Sequence, residues 1–254
     1  MNIKKTMLAT VALAAVTSTS YAAKTNPDLQ VEGENEQAVS EEDHQPAPRS
    51  YGWSVIALGL ATPVQLPWGL DKWDIFGLDL NLGYSDAPKM YGWEVALGAN
   101  VARQTFAGLQ TAIGFNYSRD DAYGVAISLF NMNSWEFYGF SADAVGYTRS
   151  FYGLEANFVG SYTRKEFAGL QISGLTSIVG DDMYGMQAAL GANFARRAHG
   201  LQAALIYNQT DLLWGCQIAL VNMAFACDHG FQIGLVNVIM DNQLPFLPIV
   251  NAYF

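Results

Sequence analysis

The sequence predicts an all-β protein, and the class it favours is an antiparallel up-and-down β-barrel of the outer-membrane type with about 12–14 strands. Three observations lead there. The 254 residues are 51% hydrophobic but only 14% charged, well below the charged fraction of about 25% in soluble domains. A glycine-headed unit recurs about every 15 residues. Within each unit, apolar residues alternate with small or polar ones, as in a strand with one apolar side.

The first 22 residues have the organisation of a signal peptide. Lys4 and Lys5 precede a short apolar run, and Ser20 and Ala22 supply the small residues that signal peptidase reads before a cleavage site. The apolar run is too short to cross a bilayer as a helix. We therefore expect residues 1–22 to be removed and the protein to be exported.

Residues 23–50 have a different composition from the rest of the chain. They contain seven acidic residues, three prolines and no aromatic residue. Such a segment cannot bury enough apolar area to offset the entropy of ordering it, so it is predicted to be a disordered linker. Residues 51–254 form the remaining domain, in which the repeat lies.

The repeat is marked by a column of glycines with nearly constant spacing. Its members are Gly77, Gly92, Gly108, Gly124, Gly139, Gly153, Gly169, Gly185, Gly200, Gly215 and Gly230. A fixed period of this length indicates that one structural unit is reused along the chain.

Two architectures fit such a unit. A closed barrel would turn the apolar side of each strand to lipid and the small polar side to a lumen, whereas a β-solenoid would hold the apolar side inside and expose Gln and Asn. About ten tilted strand residues rise roughly 25 Å, the height of the lipid-facing band of a barrel. Charges within strands, such as Asp79 and Glu94, fall on the polar side. These points favour the barrel, with a solenoid adhesin or binding module as the alternative.

The barrel hypothesis assigns roles to three sets of residues. The polar column is predicted to line the lumen of a passive, mildly cation-preferring pore: Asp79, Glu94, Gln110, Asp143, Glu155, Gln171, Gln187, Gln202, Gln217 and Gln232. Aromatic residues beside the glycines are predicted to form an interfacial girdle: Tyr91, Tyr123, Tyr138, Tyr152, Tyr184 and Trp214. Phe254 is expected to be the signal read by the outer-membrane assembly machinery.

Other function classes find little support in the sequence. A net charge of −10 argues against nucleic-acid binding, which needs clustered Lys and Arg. The glycines do not form a phosphate-binding loop, because no Gly-x-x-x-x-Gly-Lys-Ser/Thr occurs. His199 and His229 occupy positions filled elsewhere by Tyr or Trp, and no Ser has a placed His and acid partner. We expect no catalysis, nucleotide, cofactor or metal, and partners limited to outer-membrane lipid and the assembly machinery.

Several repeat units resemble a known family. The sequences Gly-Leu-Gln-Ile at 169–172, Gly-Cys-Gln-Ile-Ala-Leu-Val-Asn at 215–222 and Gly-Phe-Gln-Ile-Gly-Leu-Val-Asn at 230–237 are similar to the Gly-Leu-Gln-Ile-Gly-Leu-x-Asn surface-repeat family of exported bacterial proteins. The segment 244–254 is similar to that family's tail. The units at Gly124, Gly139 and Gly153 depart from the consensus because they lack the Gln. The resemblance implies a bacterial surface or outer-membrane location and no established activity.

Overall fold

The computed structural model describes residues 50–61, 64–66, 68 and 72–253. The predicted signal peptide, nearly all of the predicted linker and Phe254 lie outside these residues. Fifteen strands join in one sheet. They are β1 (Gly52–Ala61), β2 (Val64–Leu66), β3 (Trp73–Asn81), β4 (Tyr84–Ala87), β5 (Met90–Ala96), β6 (Ala99–Ala102), β7 (Phe106–Ala112), β8 (Phe115–Ser118), β9 (Ala122–Thr163), β10 (Glu166–Ser173), β11 (Thr176–Ala189), β12 (Ala192–Ala204), β13 (Tyr207–Ile218), β14 (Val221–Ile239) and β15 (Phe246–Tyr253).

The strands stack in parallel, each on its counterpart in the next repeat. In the pairing of β10 with β11, Gly169 lies opposite Gly185 and Gln171 lies opposite Gln187. The same register carries through β12, β13 and β14. Residues in these turns therefore stand above residues 14 to 16 positions later, and the chain winds into a β-solenoid of about ten turns.

The barrel prediction is wrong, because neighbouring strands of an up-and-down barrel run antiparallel and these run parallel. The period of about 15 residues holds two short strand legs per turn instead of one long strand. In one such turn, β5 is followed by β6 after a bend at Leu97 and Gly98. The sequence shows a signal for this bend, since a glycine recurs six residues after the first at Gly83, Gly98 and Gly114.

The alternation within a turn sorts residues between the interior and the outside. In the turn headed by Gly185, the residues Met183, Gln187 and Ala189 are buried, whereas Tyr184 and Leu190 are exposed. The solenoid thus has its amides inside and its aliphatic residues outside. This is the reverse of the arrangement expected for a solenoid from the sequence, and it gives the apolar side the outward position that the barrel hypothesis had assigned to it.

The glycine column is required by close backbone contact between turns. Gly200 has φ 136°, a conformation that residues with a side chain rarely adopt. A Cβ built on Gly200 would lie 2.1 Å from the carbonyl oxygen of Gly185, and one on Gly92 would lie 2.1 Å from that of Gly77. Only glycine allows the turns to stack at this corner, which explains why the column defines the repeat.

The apolar part of the core is a second column, two residues before each glycine. Phe137, Phe151 and Phe167 are buried there and stack at centroid distances of 5.1 and 5.7 Å. Ile75 and Met183 continue the column towards its ends. The remaining interior columns hold small or polar side chains, so the core combines one apolar stripe with polar ladders.

Antiparallel strands occur at the two ends of the stack. At the start, β2 turns back on β1, with Leu58 opposite Leu66. At the other end, β15 turns back on β14, with Gln232 opposite Asn251. The parallel winding is therefore confined to the turns between these two strands.

Candidate functional site

The glutamines predicted to line a lumen form a hydrogen-bonded ladder inside the coils. The side-chain Nε2 of Gln232 donates to Oε1 of Gln217 at 2.7 Å, and Gln217 donates to Gln202 at 2.8 Å. The chain continues through Gln187 and Gln171, with both distances 2.9 Å. Each amide from Gln171 to Gln217 therefore accepts from the following turn, and each from Gln187 to Gln232 donates to the preceding one.

The ladders end on carboxyl groups. Gln171 Nε2 donates to Glu155 Oε2 at 2.7 Å, and Gln110 Nε2 donates to Glu94 Oε2 at 2.8 Å. Between these two ladders, the equivalent positions carry Ala126 and Ser141, which have no amide. The glutamic acids are thus the last acceptors of two separate ladders.

Each glutamic acid has a second buried acid nearby. Burial raises the pKa of Glu94 to about 8, with a further rise from Asp79, and burial raises the pKa of Asp79 to about 6. Asp79 accepts hydrogen bonds from Ser85 Oγ and, at 2.5 Å, from Asn81 Nδ2. At neutral pH this pair accordingly carries less negative charge than two ordinary carboxylates.

The second pair repeats this arrangement near the middle of the stack. Burial raises the pKa of Glu155 to about 8, with a further rise from Asp143, and burial raises that of Asp143 to about 6. Asp143 accepts from Asn157 Nδ2 and, at 2.5 Å, from Ser141 Oγ. Asp143 lies four residues after its glycine and faces Asn157 in the next turn, outside the glutamine column.

A second ladder, made of asparagines, was missed in the sequence. Asn208 Nδ2 donates to Asn222 Oδ1 and to the backbone carbonyl of Ile218, both at 3.0 Å. Asn193 and Asn222 make equivalent pairs with the next asparagine along, at 3.0 and 2.9 Å. The available signal was the recurrence of Asn seven or eight residues after the glycine.

The predicted lumen residues are all placed in the interior, but the solenoid provides no barrel lumen for them to line. All ten are buried: Asp79, Glu94, Gln110, Asp143, Glu155, Gln171, Gln187, Gln202, Gln217 and Gln232. Their side chains form hydrogen bonds within and between the turns instead of facing a channel. The interior therefore consists of hydrogen-bonded ladders. The pore prediction depended on a barrel lumen, which a solenoid does not provide.

The six residues predicted as a girdle lie in one column along the solenoid axis. Tyr123, Tyr138 and Tyr152 stack with centroid distances of 5.2 and 4.8 Å. Tyr91 stacks on Phe76 at 4.9 Å, and Tyr184 and Trp214 flank His199 at 4.9 and 5.7 Å. Ala107 and Ala168 interrupt this aromatic column, so it consists of three stacks along one side of the solenoid and does not encircle the molecule as a girdle would.

The histidines contribute to the same column. His199 stands between Tyr184 and Trp214, and His229 follows Trp214 at a centroid distance of 6.0 Å. Within residues 50–61, 64–66, 68 and 72–253, no group of three or more His, Cys, Asp or Glu is placed to hold a metal ion. The histidine rings act here as members of an aromatic stack.

Next to the aromatic column lies an exposed aliphatic surface, which we call the apolar face. It consists of the residues one, three and five positions after each repeat glycine. Its most exposed members include Leu82, Trp93, Leu97, Ile113, Leu129, Leu154, Phe158, Ile172, Leu190, Leu205, Leu220 and Leu235. Leu205 is 63% exposed, whereas Gln202 in the same turn is fully buried. Patches of this kind mark binding surfaces.

Apart from the buried acid pairs, ion-paired side chains are grouped at a corner that precedes the aromatic column. Arg196 pairs with Asp181 at 3.2 Å, and Arg197 binds Asp182 through both oxygens. Arg103 and Asp86 form a comparable pair at 2.6 Å in an earlier turn. Along most turns the outside therefore runs from charged to aromatic to aliphatic residues, with Ala107 and Ala168 in place of the ring at two of them.

Comparisons with known proteins return no relative. No family model, no curated protein and no solved structure matches the chain. Within the described residues there is no helix long and apolar enough to cross a membrane.

Proposed function

We propose that this chain is an exported, non-catalytic β-solenoid binding module that engages its partner through the apolar face. The observation that carries this proposal is the apolar face itself, which extends along the turns without a charged residue at any of its positions. The largest apolar patch on a typical monomer covers about 300–600 Å². The apolar face extends over about ten turns, in which adjacent strands lie about 4.8 Å apart, and it is five residues wide along each strand. Its area therefore reaches or exceeds that of the largest patch on a typical monomer.

The location of the titratable groups supports a binding role over a catalytic one. Glu94 and Glu155, whose pKa values are raised to about 8, are the groups best suited to proton transfer near neutral pH. Both are buried and already bonded to glutamines. A substrate on the outside of the coils has no contact with them.

The test of this proposal compares two exposed leucines. Leu205 lies on the apolar face, and Leu244, 62% exposed, lies in the connection between β14 and β15. We expect Leu205→Asp to weaken retention on a hydrophobic column and the binding of a fluorescent hydrophobic dye. Leu244→Asp should change both much less. Circular dichroism should show the same strand content for both variants, since both side chains are at the surface. Equal effects of the two variants would show that the apolar face is not the binding surface.

A further inference from the structure

We infer that the partner of the apolar face is a lipid surface, on which the solenoid lies lengthwise with its aliphatic columns inserted and its aromatic column at the headgroup level. This inference rests on the proposed binding role of the apolar face. Its basis is the order of charged, aromatic and aliphatic residues, which holds in nine of the eleven turns from Gly77 to Gly230; the other two have Ala107 and Ala168 at the aromatic position.

That order matches the layers of a membrane interface. In the turn headed by Gly185, the ion-paired Asp181 and Asp182 come first, the exposed Tyr184 follows, and Leu190 lies beyond the glycine. In a bilayer, charged groups remain in water, Tyr and Trp prefer the headgroup region, and aliphatic side chains enter the acyl boundary. Because the turns stack in register, the nine turns with a ring before the glycine present the three layers at the same height.

A second set of tyrosines lies beyond the far side of the apolar face. Tyr147 stacks on Tyr162 at 5.7 Å, and Tyr117 and Tyr207 occupy the equivalent legs of other turns. These rings are partly buried, and their hydroxyl groups can bond to polar neighbours. The hydroxyl of Tyr207, for example, donates to Oε1 of Gln209 at 2.9 Å. In the turns headed by Gly139, Gly153 and Gly200, rings therefore border the aliphatic columns on both sides, which fits a strip that enters lipid only along its middle.

The apolar face suits lipid better than a second protein. Its columns repeat at every turn, and their positions hold no charge and no amide. A protein docked on such a face could slide by one turn without losing a specific contact, because register is normally fixed by polar or charged pairs. A lipid surface requires no register. The face also has no Lys or Arg, so anionic lipids are not needed for binding.

The experiment measures binding of the chain to vesicles of pure phosphatidylcholine. We expect co-sedimentation that persists in 1 M NaCl, since screening does not weaken apolar insertion. Trp214, in the aromatic column and 53% exposed, should be quenched by lipids brominated on the acyl chain. The triple variant Leu190→Asp, Leu205→Asp and Leu220→Asp should bind at least about tenfold more weakly. Leu244→Asp is the matched control and should bind like the parent chain.

Light scattering coupled to size-exclusion chromatography separates the two proposals. If the parent chain does not bind vesicles but is a dimer that the triple variant converts to monomers, the occupant is a second copy. The lipid inference then fails and the binding role of the apolar face stands. If the triple variant folds normally and changes neither vesicle binding, dye binding nor oligomeric state, both proposals fail.

Discussion

The turns near the end of the solenoid and those near its beginning use the same glycine column but different interiors. From Gln171 to Gln232, five glutamines form an unbroken ladder. In the earlier turns, one glutamine bonds to Glu94, and Ala126 and Ser141 then interrupt the column. An amide can repeat along a column because it donates and accepts at once, whereas Glu94 and Glu155 act in these ladders as the acceptors of the last amides. An acid therefore marks the place where a ladder stops.

The largest expected effect tests what the two regions share. Gly92→Ala in the early turns and Gly200→Ala in the later ones would each place a methyl group about 2 Å from a carbonyl oxygen of the preceding turn. We expect each to lower the free energy of unfolding by more than about 4 kcal/mol, or to prevent folding. Gly52→Ala is the control, because its Cβ would lie 3.4 Å from Trp73. A small effect of Gly200→Ala would mean that the turns do not stack at the glycine column.

The second largest effect concerns the glutamine column, in which the two regions differ. Gln202→Leu removes the acceptor of Gln217 and the donor to Gln187, leaving two buried groups unpaired. Gln110→Leu leaves only Glu94 without its donor. At about 1–3 kcal/mol for each orphaned group, urea unfolding should show roughly twice the loss for Gln202→Leu. Gln209→Leu, outside the ladder, should cost well under 1 kcal/mol. Equal losses for Gln110→Leu and Gln202→Leu would refute the ladder account.

The pH dependence of stability comes from the acid pairs. The folded pKa values of Glu94 and Glu155 are raised to about 8 from 4.5, and those of Asp79 and Asp143 to about 6 from 3.8. The folded state holds the extra protons, so this stability is full below the unfolded values and is lost as pH rises through the folded ones. The melting temperature should fall by several degrees between pH 5 and pH 9.

The matching variants isolate the cause of that fall. Glu94→Gln with Glu155→Gln keeps the acceptors for Gln110 and Gln171 but removes the ionisation, so the melting temperature should vary less with pH. Asp228→Asn changes an exposed carboxyl and should leave the parent profile unchanged. If the melting temperature of the double variant fell as much between pH 5 and pH 9 as that of the parent chain, the acid pairs would not be the cause of the pH dependence.

The smallest effect concerns the charged corner. Arg197→Gln removes an exposed ion pair with Asp182, and Arg103→Gln removes a less exposed pair with Asp86. Exposed pairs contribute about 0–1 kcal/mol. We expect both losses in chemical denaturation to lie within that range, with the larger one at Arg103. A loss above 2 kcal/mol at Arg197 would mean that the corner holds the turns together.

The sequence allowed the all-β class, the repeat and the two sides of each strand to be predicted, because period-two alternation reports which side chains share a face. It led wrongly to the barrel, because the unit of about 15 residues was interpreted as one long strand and a turn, whereas it holds two short strand legs. The deciding features are the positive φ of the glycines, as at Gly200, and the second bend near Gly98. Neither is visible in an alternation pattern. The asparagine ladder was overlooked because Asn208 and Asn222 fall near that bend, where the alternation shifts phase.

Strand β15 affects whether the last parallel turn can pair with the backbone of another chain. A pile of parallel turns that ended on β14 would offer a free backbone edge to another chain, as the growing tip of an amyloid fibril does. Here β15 occupies that edge in the opposite direction. Pro248 lies within it and Pro245 just before it, and neither has an N–H to donate to an incoming strand. In the described residues, β15 thus covers the edge at which another chain could add to the stack of parallel turns.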